Sequence, residues 1–170
     1  MEEDKIYLVG FMGCGKSTLG RKLAKFMNWK FVDLDEYIEK RENKTISKIF
    51  SEKGEAYFRA LESKVLKESA DWCNTVVSCG GGTPCFNKNM ELLNDLGLSI
   101  FINLSPDILA ERLKGEREKR PLIAKFSDAE MLVFINAKLS ERLKYYQSSK
   151  LIFNYTNEKE AEFLNRFSNL

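Results

Sequence analysis

The chain has 170 residues, 44% of them hydrophobic, which is enough for one compact domain with a real core. Its 27 basic and 25 acidic residues leave a net charge of +2, so no chain-wide field draws it to nucleic acid or to an anionic membrane. It has no histidine, which excludes mechanisms built on an imidazole, and Cys14, Cys73, Cys79 and Cys85 lack the spacing of a zinc set, as expected of free thiols in a reducing compartment.

The opening MEEDKIYLVGFMG is acidic, and its apolar run is far too short for a secretory segment or a membrane span, so a soluble cytoplasmic protein is expected. Ile6 to Val9 reads as a first strand. It runs into GFMGCGKS, which fits G-x-x-x-x-G-K-[ST] from Gly10 to Ser17, and a helical pattern from Leu19 to Met27 follows. Gly10, Gly13 and Gly15 let backbone N–H groups turn inward at a helix N-terminus, where the macrodipole favours an anion. Lys16 supplies a cation for β- and γ-phosphates, Ser17 a hydroxyl for magnesium, and Thr18 a further phosphate contact. Gly13, Cys14, Gly15, Lys16, Ser17 and Thr18 are therefore expected to bind a nucleoside triphosphate. A thiol at a helix N-terminus is a candidate for oxidation or alkylation, although a small filler is the plainer reading of Cys14.

A second strand, Lys30 to Val32, leads into FVDLDEY. In an extended backbone Asp33 and Asp35 face the same way, past the carboxyl edge of a sheet where ligands collect, while D-x-D reads equally well as a helix cap. Trp29, Phe31, Phe50 and Phe58 either flank an acceptor pocket or belong to the core. A helical pattern covers Ala56 to Glu68, and a third strand, Thr75 to Ser78, ends in three consecutive glycines. Gly80, Gly81 and Gly82 are more than a tight turn needs and point to a ligand close to the backbone. After a fourth strand, Ser99 to Asn103, Ser105-Pro106 starts a helix. Residues 115–126, GEREKRPLIAKF, are basic and without periodicity, either a solvated loop or a flap that closes over an anion. Ser127 and Glu130 form a capping box for a helix reaching about Tyr146; Leu151 to Asn154 is a fifth strand, and a helix from about Glu158 to Phe167 follows. This alternation predicts an α/β fold with a parallel sheet.

GxxGxGKST, F-x-D-x-D (Phe31 to Asp35), G-E-x-x-F-R (Gly54 to Arg59), the triple glycine, R-P-L (Arg120 to Leu122) and R-x-x-x-Y (Arg142 to Tyr146) occur in the order and approximate spacing of the shikimate kinases. The chain resembles that family over about residues 5–155. The resemblance implies a single P-loop kinase domain over 1–170. It further implies three α/β/α layers around a five-stranded parallel sheet in the order 2-3-1-4-5, an acceptor-binding segment at 33–61, and a mobile lid at 113–126. The implied reaction moves the γ-phosphate of ATP to the 3-hydroxyl of shikimate, giving shikimate 3-phosphate and ADP in aromatic amino acid biosynthesis, with Mg2+ as cofactor.

By the same resemblance Asp35 holds the acceptor hydroxyls and acts as base, while Asp33 joins Ser17 at the metal through water. Arg59 and Arg142 clamp the shikimate carboxylate, as two planar guanidinium forks suit a small acid. Gly80, Gly81 and Gly82 line the pocket with N–H groups, Arg120 arrives with the lid at the transferring phosphoryl group, and Arg112 stacks on adenine. Lys16, Asp35 and Arg120 form the implied catalytic set. Lys114, Arg117, Lys119 and Lys125 are expected to be solvated. The family often has proline where this chain has Lys144. ATP and shikimate are the expected partners of a monomer, with no nucleic acid and no membrane. Gluconate kinases and nucleoside monophosphate kinases share the P-loop, but the paired arginines and F-x-D-x-D speak against both. A catalytically silent nucleotide binder would need a broken motif, and each matched motif residue is intact.

Overall fold

The computed structural model describes residues 4–117, 123–155 and 159–168. Strands β1 (Lys5–Val9), β2 (Lys30–Asp33), β3 (Thr75–Ser78), β4 (Leu98–Asn103) and β5 (Leu151–Asn154) pair in parallel, in the order β2-β3-β1-β4-β5. Each lies within one residue of the run that announced it. The central strand KIYLV is buried along its whole length, the signature of a parallel sheet covered on both faces. Its alternate residues feed two cores.

On one face Ile6 and Leu8 join Val76, Ile100, Ile102 and Phe153 beneath α1 (Lys16–Met27), α5 (Pro106–Lys114) and α7 (Glu160–Asn165). On the other, Tyr7, Val9, Val77 and Phe101 pack against α2 (Leu34–Glu42), α3 (Ile46–Glu68), α4 (Asn89–Leu96) and the end of α6 (Asp128–Tyr146). Burying one such aliphatic or aromatic side chain contributes roughly 1.5–3 kcal/mol. The layers follow from this two-sided burial, and the strand order follows from which strands pair. Because β1 lies between β3 and β4, and β3 between β2 and β1, the segments after β2, β3 and β1 emerge side by side at one edge of the sheet. All three motif loops are those segments.

Two elements differ from the sequence reading. Helix α2 begins at Leu34, directly after β2, so Asp35 sits in the first turn of a helix and not on an extended strand beside Asp33. Only Leu34 and Ile38 of α2 are buried, too few apolar positions to declare a helical period against the pull of FVDLD towards a strand. Helix α3 is bent at Gly54, which takes φ 80° and ψ 170°; the regular helix after the bend starts next to the expected Ala56. A Cβ on Gly54 would meet nothing within 4 Å, so the positive φ and not a lack of space calls for glycine there.

The capping box at the start of α6 is closed in both directions: Glu130 N–H donates to Ser127 Oγ at 3.3 Å, and Ser127 N–H to Glu130 Oε2 at 2.8 Å. Of the segment expected as a lid, residues 118–122, which include Lys119 and Arg120, lie outside the described residues. Ile123, just after them, is fully buried in the core. Lys114 and Arg117, expected to be solvated, both pair with Asp128 at the first turn of α6, Lys114 at 3.2 Å. Among the described residues no helix is long and apolar enough to cross a membrane.

Candidate functional site

The loop after β1 is built as an anion nest. Gly13 and Gly15 take φ 77° and 97°, and Gly15 is the N-cap of α1, so the first N–H groups of that helix open towards the loop. The Lys16 ammonium is buried and donates to Gly10 O and Phe11 O, both at 2.9 Å, which folds it over its own loop. Cys14 is buried, with Sγ 3.7 Å from Lys16 Nζ, and its inaccessibility favours the filler reading over a reactive thiol. Thr18 is exposed. Arg112 reaches the same loop from α5, donating from Nη1 to Cys14 O at 3.1 Å, with its guanidinium 4.9 Å from the ring centre of Tyr155.

Beside the nest, three oxygens from α1, β2 and β3 converge. Ser17 donates its one proton to Asp33 Oδ2 at 2.6 Å, so in the 3.1 Å contact between Ser17 and Ser78 the donor is Ser78. The other oxygen of Asp33 accepts from the N–H groups of Asp35 and Glu36 at 3.2 and 3.4 Å. The cap reading of D-x-D thus holds for Asp33, which caps α2 with one oxygen and meets Ser17 with the other. Ser78 gave no motif signal; its register opposite Asp33 and Leu8 is what places it here. A hydroxyl and a carboxylate of this hardness fit Mg2+, which takes few protein ligands and keeps waters and substrate phosphates for the rest.

Asp35 follows in the first turn of α2. Its carboxyl pKa is pushed up to about 6, chiefly by burial, then by the negative charges of Glu62 and Asp33, against the pull of Lys16. Glu62 is a residue the sequence reading missed. It is 1% exposed, accepts from Arg59 Nη1 at 2.6 Å and Thr83 Oγ1 at 2.5 Å, and its carboxyl pKa is also raised by burial. The available signal was a glutamate inside the apolar stripe Phe58, Leu61, Val65 and Leu66, three residues after Arg59.

Each of the three glycines stands against a different group. A Cβ on Gly80 would lie 2.8 Å from Asp35 Oδ1, one on Gly81 3.5 Å from Arg142 Nη1, and one on Gly82 2.8 Å from Arg59 Nη1. At 80 and 82 the groups that approach the backbone are the protein's own side chains, Asp35 and Arg59, which would have to shift to admit a Cβ. Arg59 is walled by aromatic rings, 4.2 Å from the ring centre of Phe86 and 5.3 Å from that of Phe58. Arg142 lies 5.8 Å from the ring centre of Phe11, and the charge of both arginines reaches Glu62 and Cys85. Of the four aromatics considered for this pocket, Phe50 and Phe58 stand here, 4.7 Å apart. Trp29 and Phe31 pack on the opposite core beside α1. Gly82→Ala should therefore push Arg59 aside and weaken binding of a carboxylate ligand about tenfold or more, with nucleotide affinity unchanged, as measured by calorimetry.

The carboxyl edge of the sheet thus holds an anion nest, a hydroxyl beside a carboxylate, a second carboxylate with a raised pKa, and two arginines. The shikimate kinase family model matches residues 12–169. A shikimate kinase of Bacteroides thetaiotaomicron is 45% identical over 150 residues, covering 88% of this chain and 86% of that protein. The crystal structure of shikimate kinase from B. thetaiotaomicron superposes with a TM-score of 0.88 at 42% identity, over 95% of this chain and 94% of that one. The shikimate kinase of Acinetobacter baumannii in complex with shikimate gives 0.82 at 31% identity, over 97% and 90%.

Proposed function

The chain belongs to the shikimate kinase family, and from that premise we propose how its residues divide the work of the reaction. The chain is an ATP-dependent kinase of aromatic amino acid biosynthesis that phosphorylates the 3-hydroxyl of shikimate, giving shikimate 3-phosphate and ADP. The observation that carries the division is the place of Asp35, ringed by Glu62, Gly80 and the charge of Lys16. It stands where the nucleotide half of the site meets the acceptor half.

The triphosphate of ATP lies on Gly13 to Thr18. Its oxygens take Lys16 from the carbonyls of Gly10 and Phe11, which otherwise hold the ammonium. Ser17 and Asp33 are the residues to hold Mg2+, which when bound supplies positive charge to the β- and γ-oxygens. Arg112, fixed to the loop carbonyl of Cys14, borders the nucleotide, and the face of its guanidinium away from Tyr155 is the one for adenine. Arg59 and Arg142 grip the shikimate carboxylate, and Gly80, Gly81 and Gly82 offer backbone N–H groups without side chains in the way. Asp35 aligns the 3-hydroxyl and takes its proton. Arg120, outside the described residues, is assigned to the transferring phosphoryl group, with 113–126 as the lid that excludes water and 33–61 as the acceptor segment.

ATP and shikimate are the partners on this reading, for a cytoplasmic monomer. Free thiols at all four cysteines support a reducing compartment. The large exposed apolar side chains among the described residues, Phe26, Tyr57, Phe86, Val133 and Ile152, lie on separate segments of the chain. The test is equilibrium binding of shikimate to Arg59→Ala and Arg142→Ala. Each should bind on the order of 10²-fold more weakly, since truncation leaves the partner carboxylate unpaired; wild-type affinity in either would remove that arginine from the clamp.

A further inference from the structure

Arg59 is already occupied by the protein's own carboxylates. Glu62 Oε2 accepts from Nη1 at 2.6 Å, while Glu55 Oε1 accepts from both Nε at 3.2 Å and Nη2 at 3.1 Å. A guanidinium grips a planar carboxylate through two parallel N–H groups, so it has two edges to offer: Nη1 with Nη2, or Nε with Nη2. The first edge faces Gly82, where a Cβ would come to 2.8 and 2.9 Å from Nη1 and Nη2; that leaves no depth for a carboxylate between them. The second edge is the one Glu55 fills.

The two glutamates differ in how firmly they are held. Glu62 is 1% exposed and also bonded to Thr83, so it stays with Arg59 whatever arrives. Glu55 is 57% exposed and sits just after the bend at Gly54, one turn before Arg59 on the same helix. It can swing into water at little cost, as exposed pairs four residues apart are weak.

We propose that Glu55 is an internal stand-in for the acceptor's carboxylate: it holds the Nε/Nη2 edge of Arg59 until shikimate binds and displaces it. This rests on the reading of Arg59 as a carboxylate clamp. While Glu55 is in place the binding-competent arginine is only a fraction of the population, and the observed affinity is reduced by that fraction. Glu55 thereby sets the affinity for acidic acceptors and keeps the arginine ordered against Phe86 between turnovers.

The experiment is calorimetric titration of shikimate, without ATP, into wild type, Glu55→Gln, Glu55→Ala, Arg59→Ala and the double variant Glu55→Gln/Arg59→Ala. Both Glu55 variants should bind shikimate about three- to fivefold more tightly than wild type. In the Arg59→Ala background the Glu55 change should have no effect. Equal or weaker binding in both Glu55 variants would overturn the proposal and make Glu55 a residue that steadies Arg59. A gain that persists without Arg59 would overturn it too, by showing long-range repulsion instead of displacement. Wild-type affinity in Arg59→Ala alone is a separate failure, that of the clamp itself.

Discussion

Asp35→Asn is expected to lower kcat about 10²- to 10⁴-fold, the usual contribution of a positioned base, with little change in the KM for ATP. The amide keeps the shape of the carboxylate and its fit beside Gly80 but cannot take a proton. Glu62 cannot replace it, because its two oxygens are committed to Arg59 and Thr83. The same environment fixes the pH profile. With its pKa near 6, Asp35 is ionised at neutral pH but close to the operating range, so wild-type kcat should fall about tenfold per unit below that value.

The stability effect has the opposite sign to the activity effect. Folding raises the Asp35 pKa from 3.8 to about 6, so the folded state prefers the neutral carboxyl; the stability this confers is complete below the lower value and lost as pH rises through the upper one. At neutral pH the enzyme holds a carboxylate in a site that disfavours it. The Asp35→Asn substitution removes that strain, and a gain of about 1 kcal/mol would raise Tm by roughly 2–4 °C in a chain of this size. A variant that keeps wild-type turnover would take the base role from Asp35.

Lys16→Met should cost about 10²- to 10³-fold in kcat and weaken ATP binding, because the β- and γ-oxygens lose the cation that the nest itself supplies. The fold should survive. Phe11 O, one of the two carbonyls that lose the ammonium, still accepts from Cys14 N–H at 3.2 Å, and methionine fills a similar volume. Shikimate affinity without nucleotide should be unchanged, since Arg59 and Arg142, the proposed clamp, lie on α3 and α6. Turnover within a few-fold of wild type would remove Lys16 from the transfer step.

What could be read from the sequence depended on how local the determining physics is. The Gly10 to Ser17 loop was legible because strand, glycines and helix are contiguous and each has one evident reason. Strands β1, β3 and β4 were legible because strands buried on both faces write themselves as short continuous apolar runs. The helical place of Asp35 is not legible, because the cap that starts α2 is formed by Asp33, two residues before it in a run that reads as a strand. Glu62 and Ser78 were not legible, since their importance comes from contacts with Thr83 and Ser17 that only the fold creates. Lys114 is exposed, as its sequence suggests; what the sequence does not show is that it and Arg117 pair with Asp128, more than ten residues away at the head of α6.

The measurement that bears most directly on the account is ADP release from ATP-Mg by wild type and Asp35→Asn, with shikimate, quinate or gluconate as acceptor. Strong stimulation of the wild type by shikimate alone, abolished in the variant, is the predicted result. ADP release that ignores shikimate, or a variant that responds to it as the wild type does, would contradict the reaction or the residue placed at its centre.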